Sequence, residues 1–345
     1  MLSQQAAACR ALGSPLYAGL LSRAAADLLG GGPTADVLDG YLAQPVSSVV
    51  PLRMLGAAHA LALTGQAPRL AAFYPSAGGT ADPGPGAAEA WTALRQTLKE
   101  HRSSIRAWLP RPPQTNEVGR GAALIGGLRH VVAEASLPVR LVEVGASAGL
   151  NLRADHFHVP GASGHHADAS SPVVLAGGWQ GTAPPDSRIE VIDRTGGDLD
   201  PIDPATPAGG LTLTAYVWPD QQARLERLRG AIILAQSVPA DLRREPATGT
   251  LARTALTDGS WTVLWHSIFR QYLGQEQRAE LAAGVAALAA AATPSARFAY
   301  LYLEQSRAGG CPVTLTTWPG GRQRVLGVAP PHGIPVTWRA TPAYR

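Results

Sequence analysis

The stretch LVEVGASAGLNL, Leu141 to Leu152, runs from branched apolar residues into a cluster of small ones and back into an apolar segment. With Pro138, Val139 and Arg140 before it, the first part reads as a buried strand. Gly145, Ala146, Ser147, Ala148 and Gly149 have almost no side-chain bulk and read as a tight turn, with a helix expected from Leu150 onward. Two chemistries use such a turn. In one, a nucleotide-like ligand lies against the backbone, with N–H groups of the helix start pointing at it and Glu143 at the strand's end. In the other, GASAG is a G-x-S-x-G nucleophile elbow with Ser147 raised on the bend. Any strand-to-helix junction also takes Gly and Ala simply for close packing, so the string leaves three alternatives open.

Downstream, strand candidates recur at Arg188 to Ile192, Leu211 to Val217, Trp261 to Trp265 and Phe298 to Glu304. Helical patterns lie at residues 115–134, at Gln221 to Ala235 and at Gln275 to Ala292. This alternation predicts an α/β fold with a doubly wound, mostly parallel, Rossmann-like sheet. The ending, PVTLTTWPGGRQRVLGVAPPHGIPVTW, alternates around turns and predicts an antiparallel hairpin at the sheet edge. Upstream the apolar period is helical: Tyr17, Leu20, Leu21, Ala24 and Leu28, then Met54, Leu55, Ala58, Leu61 and Ala62, then Trp91, Leu94, Leu98, Ile105 and Trp108. GGGP at Gly30 and YPSAGGTADPGPG at Tyr74 separate these helices, and PRPP at Pro110 is the natural boundary. The expected organisation is an α-helical N-terminal cap domain, residues 1–110, followed by a Rossmann-like domain, residues 111–345.

A hydrophobic share of 46%, a charged share of 16% and a mean hydropathy of +0.01 describe a chain that buries a core, which excludes wholesale disorder. The net charge of +4 invites a nucleic-acid partner, yet Lys99 is the only lysine and the arginines are scattered among acids. No basic stripe with interleaved aromatics exists, so no nucleic-acid binding is expected. The N-terminus lacks the pattern of a secretory signal, and no stretch of about eighteen apolar residues is expected: the longest candidate, AGVAALAAAAT at Ala283, is too short and too alanine-rich to span a bilayer. No membrane partner and a cytoplasmic location are therefore expected. Cys9 and Cys311 form no zinc or C-x-x-C pattern and fit a reducing compartment. His156, His158, His165, His166 and Asp168 crowd a short polar segment without fixed spacing, which predicts a solvated loop and no metal site.

IEVIDRTGGDLDPID, Ile189 to Asp203, places acids near a second strand, where a dinucleotide-type fold holds ribose hydroxyls. Asp198 and Asp193 both qualify. Asp198 lies 49 residues beyond Gly149, against about twenty in the common fingerprint, so Arg153 to Ser187 would be an inserted loop or hairpin. For the nucleophile-elbow alternative, His266 in WHS or His332 in PPHG would serve Ser147, but no HGG-type oxyanion loop precedes it.

EVGASAGLN, GDLDP, the strand ending in WHS and the closing hairpin together resemble class I S-adenosylmethionine-dependent methyltransferases. More closely, RMLGAAHALALTG, YPSAGG, QTNEVGR, LVEVGASAGLN, DLDPID, VWPDQQAR and HSIFRQYL make most of the chain similar to a family of uncharacterised bacterial proteins, a domain of unknown function that implies no reaction. The methyltransferase resemblance implies S-adenosyl-L-methionine as cofactor, a small-molecule substrate, and Glu143, Gly145 and Gly149 as the first motif. Ser147 replaces that motif's central glycine. Asn151 extends the cofactor-binding set, Asp198 is its ribose acid, and His266 and Ser267 stand at the carboxyl edge of the sheet.

Other residues carry two meanings. Asn116, Glu117 and Arg120 in QTNEVGR would orient a polar substrate, or they cap and pair within a helix start. Trp218 in WPDQ would stack on adenine or pack in a core, and Asp220 would cap a helix. His266, inside an apolar strand end, would be the general base, with Glu117 and Tyr272 as helpers; otherwise it is a hydrogen-bonded core histidine. The expected function is methyl transfer to a small polar acceptor. A cyclase or lyase using the same cofactor, a serine hydrolase through Ser147 and a non-catalytic binding protein are the alternatives.

Overall fold

The structure is a computed structural model describing residues 1–80, 86–161 and 169–340. In chain order its helices are α1 (Leu2–Ala11), α2 (Pro15–Leu29), α3 (Pro33–Leu38), α4 (Val50–Leu63), α5 (Pro68–Ala71), α6 (Gly86–Glu100), α7 (Arg102–Arg106), α8 (Gly121–Glu134), α9 (Pro207–Ala215), α10 (Gln222–Ser237), α11 (Ala247–Arg253) and α12 (Gln275–Ala291). Its strands are β1 (Val139–Val144), β2 (Trp179–Gly181), β3 (Val191–Asp198), β4 (Asp241–Arg244), β5 (Ser260–Ser267), β6 (Ala296–Leu303), β7 (Cys311–Trp318), β8 (Arg322–Ala329) and β9 (Val336–Trp338). The chain forms two compact units, residues 1–115 with 206–226, and residues 116–205 with 227–345. The last division, between residues 226 and 227, falls inside α10.

The first unit is helical. Its core gathers the periodic residues of the sequence, among them Tyr17, Leu20, Leu21, Met54, Leu55, Ala58, Leu94, Leu98 and Ile105. Ser14 caps α2 by accepting the Tyr17 N–H, and Pro15 occupies the first turn, where its missing N–H leaves no bond unmade. Asp220 also acts as a cap, but for α2: it accepts the Leu16 N–H at 3.1 Å and the Ser14 hydroxyl at 2.7 Å. The expected strand at Leu211 to Val217 is instead helical over most of its length, in α9. Its Leu-Thr-Leu-Thr alternation imitates a strand, yet Thr206 accepts the Gly209 N–H and Pro207 opens the first turn, which sets a helix. One apolar stretch also escaped the sequence: Val46–Leu63 has the length and hydropathy, 1.4, of a membrane span, and 67% of it is buried as a core helix would be.

The second unit is a nine-stranded, mostly parallel sheet in the order β2-β9-β8-β7-β6-β5-β1-β3-β4. From β1 the chain passes to β3 on one side and returns to β5 on the other, all parallel, so β1 is the point where the winding reverses. β7 and β8 form the expected antiparallel hairpin, but they are not the edge. β9 pairs with β8, and β2, from the inserted segment, pairs with β9 and closes that side. The strand expected at Arg188 to Ile192 begins later, at Val191, and runs through Gly196 and Gly197 to Asp198. Those glycines stay extended because they pair with Glu143 and Val144 of β1. The helix expected after the glycine turn is a short 3-10 segment, Leu150–His156.

Candidate functional site

Ligands of open parallel sheets bind beyond the carboxyl ends of the strands where the winding reverses. Here that place is the end of β1, flanked by the ends of β3 and β5. Gly145 (φ 67°), Ser147 (φ 54°) and Gly149 (φ 64°) all adopt left-handed backbone, which bends the chain sharply out of β1. The turn is held from below by β3: the Gly197 carbonyl accepts the Gly145 and Ala146 N–H groups at 2.9 and 3.2 Å. Asp198 holds it from the side, one carboxylate oxygen accepting the Ser147 N–H at 2.8 Å and the other the Asp200 N–H at 2.9 Å. Asn116 Oδ1 accepts the Leu150 N–H at 2.9 Å. Most of the N–H groups expected to face a ligand are therefore spent within the protein.

Gly145 has a second reason to be glycine, since an added Cβ would stand 2.3 Å from Cδ2 of Phe269. Gly145→Ala is expected to destabilise by about 3 kcal/mol, from the left-handed backbone and the clash together. Gly31 has the same φ of 67° and nothing within 4 Å of its added Cβ, so Gly31→Ala should cost only about 1 kcal/mol. Equal losses in melting experiments on the two variants would show that Phe269 does not press on the turn.

Glu143 is the most unusual group at this end. Its side chain is buried, and Oε2 has no hydrogen-bond partner. Burial pushes its carboxyl from 4.5 up to about 8, and the negative charge of Asp198 adds to the rise. The Trp265 indole N–H, the Cα neighbour in β5, and the guanidinium groups of Arg153 and Arg120 oppose it. The indole leans toward the carboxyl without reaching hydrogen-bond geometry, so Trp265 Nε1 is also unsatisfied. Glu143 is thus a neutral acid next to a carboxylate, a pairing that marks functional clefts.

His266 lies on the opposite face of the sheet, because side chains alternate along a strand and its neighbour Trp265 shares the face of Glu143. It is fully enclosed, with Nδ1 2.8 Å from Glu304 Oε1 and Nε2 2.7 Å from the Tyr300 hydroxyl. Arg270 Nη2 donates to that hydroxyl at 3.0 Å, and the Phe269 and Arg270 N–H groups donate to Glu304 Oε1. Burial keeps the imidazole neutral, below its ordinary pKa. Burial alone would raise Glu304, but the bonds from His266 and the two N–H groups outweigh it and hold the carboxyl low. An ionised carboxylate only accepts, so the proton sits on Nδ1 and Nε2 accepts from Tyr300. Of the two readings given for His266, this geometry is that of a hydrogen-bonded core histidine, with both nitrogens engaged and no exposed surface.

The remaining expected residues divide. Asn116, Glu117, Asn151 and Arg120 do gather at this end, mainly as braces. Glu117 accepts the Gly119 N–H, its carbonyl accepts from Asn151 Nδ2, and Arg120 donates to the carbonyls of Pro331 and Ser267. Asn151 Oδ1 is buried and without a partner. Tyr272 is exposed on a short 3-10 turn, Arg270–Tyr272. Trp218 belongs to the helical unit and is buried in its core, with the Tyr17 ring tilted beside it and the Arg224 guanidinium over its ring. Asp193 sits early in β3 paired with Arg140 at 2.7 Å, so of the two candidate ribose acids only Asp198 stands at the carboxyl end. His332 presses its backbone carbonyl against Gly119. His156 approaches Asp155 and Arg194, while His165, His166 and Asp168 lie outside the described residues, among which no cluster suited to a metal occurs.

Sequence reasoning missed Leu199, Tyr300, Glu304 and Arg270. Leu199 follows Asp198 and is 67% exposed, an apolar surface at the strand end that nothing in its neighbours announces. Ile268, a branched residue at φ 50°, is strained directly after β5. Asn116, Ser147 and Ile268 are three of the four non-glycine residues with positive φ among those described, and all three flank the candidate site.

Residues 1–338 match the family model described as "Uncharacterized protein conserved in bacteria (DUF2332)". No curated protein and no solved structure matches the chain. A match over nearly the whole length, spanning both the helical unit and the sheet, places this chain in the DUF2332 family.

Proposed function

We propose that the carboxyl end of the sheet binds S-adenosyl-L-methionine and that the protein transfers its methyl group to a small polar acceptor, on a class I methyltransferase-like, doubly wound core. The observation carrying this reading is the orphaned Oε2 of buried Glu143 beside a left-handed glycine turn at the winding reversal. The cofactor is cationic at its ammonium and sulfonium, and a buried acid with an unused acceptor suits such a group. Asp198 keeps one lone pair on each oxygen after its two backbone bonds, enough for paired ribose hydroxyls. Leu199 offers apolar surface to an adenine ring. When bound, the cofactor supplies an electrophilic methyl group. Glu143 would release its proton and meet the cofactor's positive charge as a carboxylate, Asn151 Oδ1 would accept one further hydrogen bond, and the acceptor would be oriented from Glu117 and Arg120.

Calorimetry with S-adenosylmethionine on the full chain tests this. Binding is expected, and Asp198→Asn, which preserves an acceptor for Ser147 N–H, should weaken it by roughly 1–3 kcal/mol. Asp193→Asn should leave it unchanged. Folded protein that binds nothing at millimolar ligand would end the proposal. A serine hydrolase at Ser147 has one favourable observation, the left-handed Ser147 backbone; the Ser147 N–H bond to Asp198 and the engaged nitrogens of His266 speak against it.

A further inference from the structure

We propose that Ser76 and His59, both in the helical unit, form a second reactive centre that cleaves small, uncharged carboxylic esters through an acyl-serine. Ser76 Oγ lies 2.6 Å from His59 Nε2, and His59 Nδ1 lies 3.0 Å from the Ala215 carbonyl. A carbonyl only accepts, so Nδ1 carries the proton and Nε2 must accept from the serine hydroxyl. Nucleophile, base and base-orienting group are thereby in the relation that activates a serine, with a backbone carbonyl in place of the usual carboxylate.

The fold builds this relation deliberately at close quarters. Ala215 ends α9, and its carbonyl is one of the groups a helix end leaves unpaired. α9 can approach α4 because Gly56, one turn before His59, leaves room for the Tyr216 ring; an added Cβ would stand 2.7 Å from it. The Ser76 N–H is fixed to the Pro219 carbonyl at 3.1 Å. Two residues before Ser76, the fully buried Tyr74 packs its ring edge-on to His59 at 5.3 Å, and its hydroxyl has no partner. A loop tether would need the Ser76–His59 bond alone. The Tyr74 hydroxyl beside this pair is a buried group without a partner.

The surroundings choose the substrate class. Tyr74 lies against His59, with Tyr17 behind Tyr74, and Asp220 places negative charge close enough to affect Tyr74, which disfavours phosphate and carboxylate ligands. His59 is fully enclosed and Ser76 is 9% exposed, so the class proposed is that of small esters. In the step proposed, the Ser76 proton passes to His59 Nε2 as Oγ bonds to the ester carbon. The C–O bond to the alcohol then breaks, and the leaving oxygen takes the proton from the imidazolium. Water, deprotonated by the same nitrogen, releases the acid and restores Ser76.

The test is labelling of the full chain by diisopropyl fluorophosphate, read by intact mass and peptide mapping. One phosphoryl group on Ser76 is expected, absent in Ser76→Ala and added at least about 100-fold more slowly in His59→Asn, whose amide still donates to Ala215. Burial holds His59 at a pKa of about 4, so the wild-type labelling rate should stay level to pH 5 and fall below it. If His59→Asn does not fold, that profile decides in its place. An unlabelled folded wild type, a label on Ser147 or another residue, wild-type labelling speed in folded His59→Asn, or an inflection near pH 6.5 would each overturn the proposal.

Discussion

Glu143→Gln is expected to make the protein more stable than wild type by about 4 kcal/mol at pH 8, while the two stay nearly equal at pH 5. A carboxyl raised from 4.5 to about 8 holds its proton in the fold and loses it in the unfolded chain between those values. The folded state therefore binds the extra proton, and wild-type stability falls as pH rises through that window, by about 1.4 kcal/mol per unit. Glutamine keeps the shape, cannot ionise and has no such slope. Urea unfolding at pH 5, 6.5 and 8 reads the difference directly. A gap that does not widen with pH would mean that Glu143 is ionised in the fold. The same substitution should cost at least tenfold in S-adenosylmethionine affinity if the proposed function holds. A residue that weakens the free protein while strengthening a complex is the pattern of a site kept for function.

Glu304→Ala should cost about 3–5 kcal/mol, the largest loss expected from a single side chain in the sheet unit. One oxygen of Glu304 accepts from His266 Nδ1 and from the Phe269 and Arg270 N–H groups, so its removal strands one buried and two half-buried donors and frees the strained turn at Ile268. Glu304→Gln, retaining an acceptor without the charge, should lose about 1–2 kcal/mol, and Tyr300→Phe about 1 kcal/mol. Because the Glu304 carboxyl is held low, its contribution is complete above the ordinary carboxylate range and is lost as pH falls through the folded value. The wild-type advantage over Glu304→Ala should accordingly shrink in acid. Equal denaturation midpoints for wild type and Glu304→Ala at pH 7 would show that the network carries no stability.

Much of the architecture was legible because it rests on local rules. Branched residues ending at Gly145 mark β1, and WTVLWHS and ARFAYLYL mark β5 and β6, since a strand buried on both faces must be apolar throughout. The helical period of Tyr17 to Trp108 similarly found its core. The failures have physical causes as well. Leu211 to Val217 alternates like a strand, but the cap at Thr206 and Pro207 outweighs side-chain pattern. Gly196 and Gly197 look like a turn, yet pairing to β1 extends them. Val46–Leu63 mixes one proline, two serines, an arginine and a histidine with its apolar residues, which hides its overall hydropathy.

Of the candidate site, Glu143, the glycine turn, Asn116, Glu117, Arg120 and Asp198 could be named in advance, because they cluster in short motifs at strand ends and at the start of α8. What each does there could not. Whether Asp198 faces solvent or clamps Ser147, and whether His266 offers a nitrogen or spends both, depends on partners 51 and 34 to 38 residues away in sequence. The sequence by itself determined which segments are strands and helices wherever hydrophobic period and caps agreed, and where the chain bends at glycine. Only the tertiary structure decided which face of the sheet each acid and histidine occupies, which hydrogen bonds consume the turn, and that a serine and a histidine 17 residues apart meet at 2.6 Å. Pairing register and burial are collective properties of the packed chain, and they set the charge and availability of every group that chemistry would use.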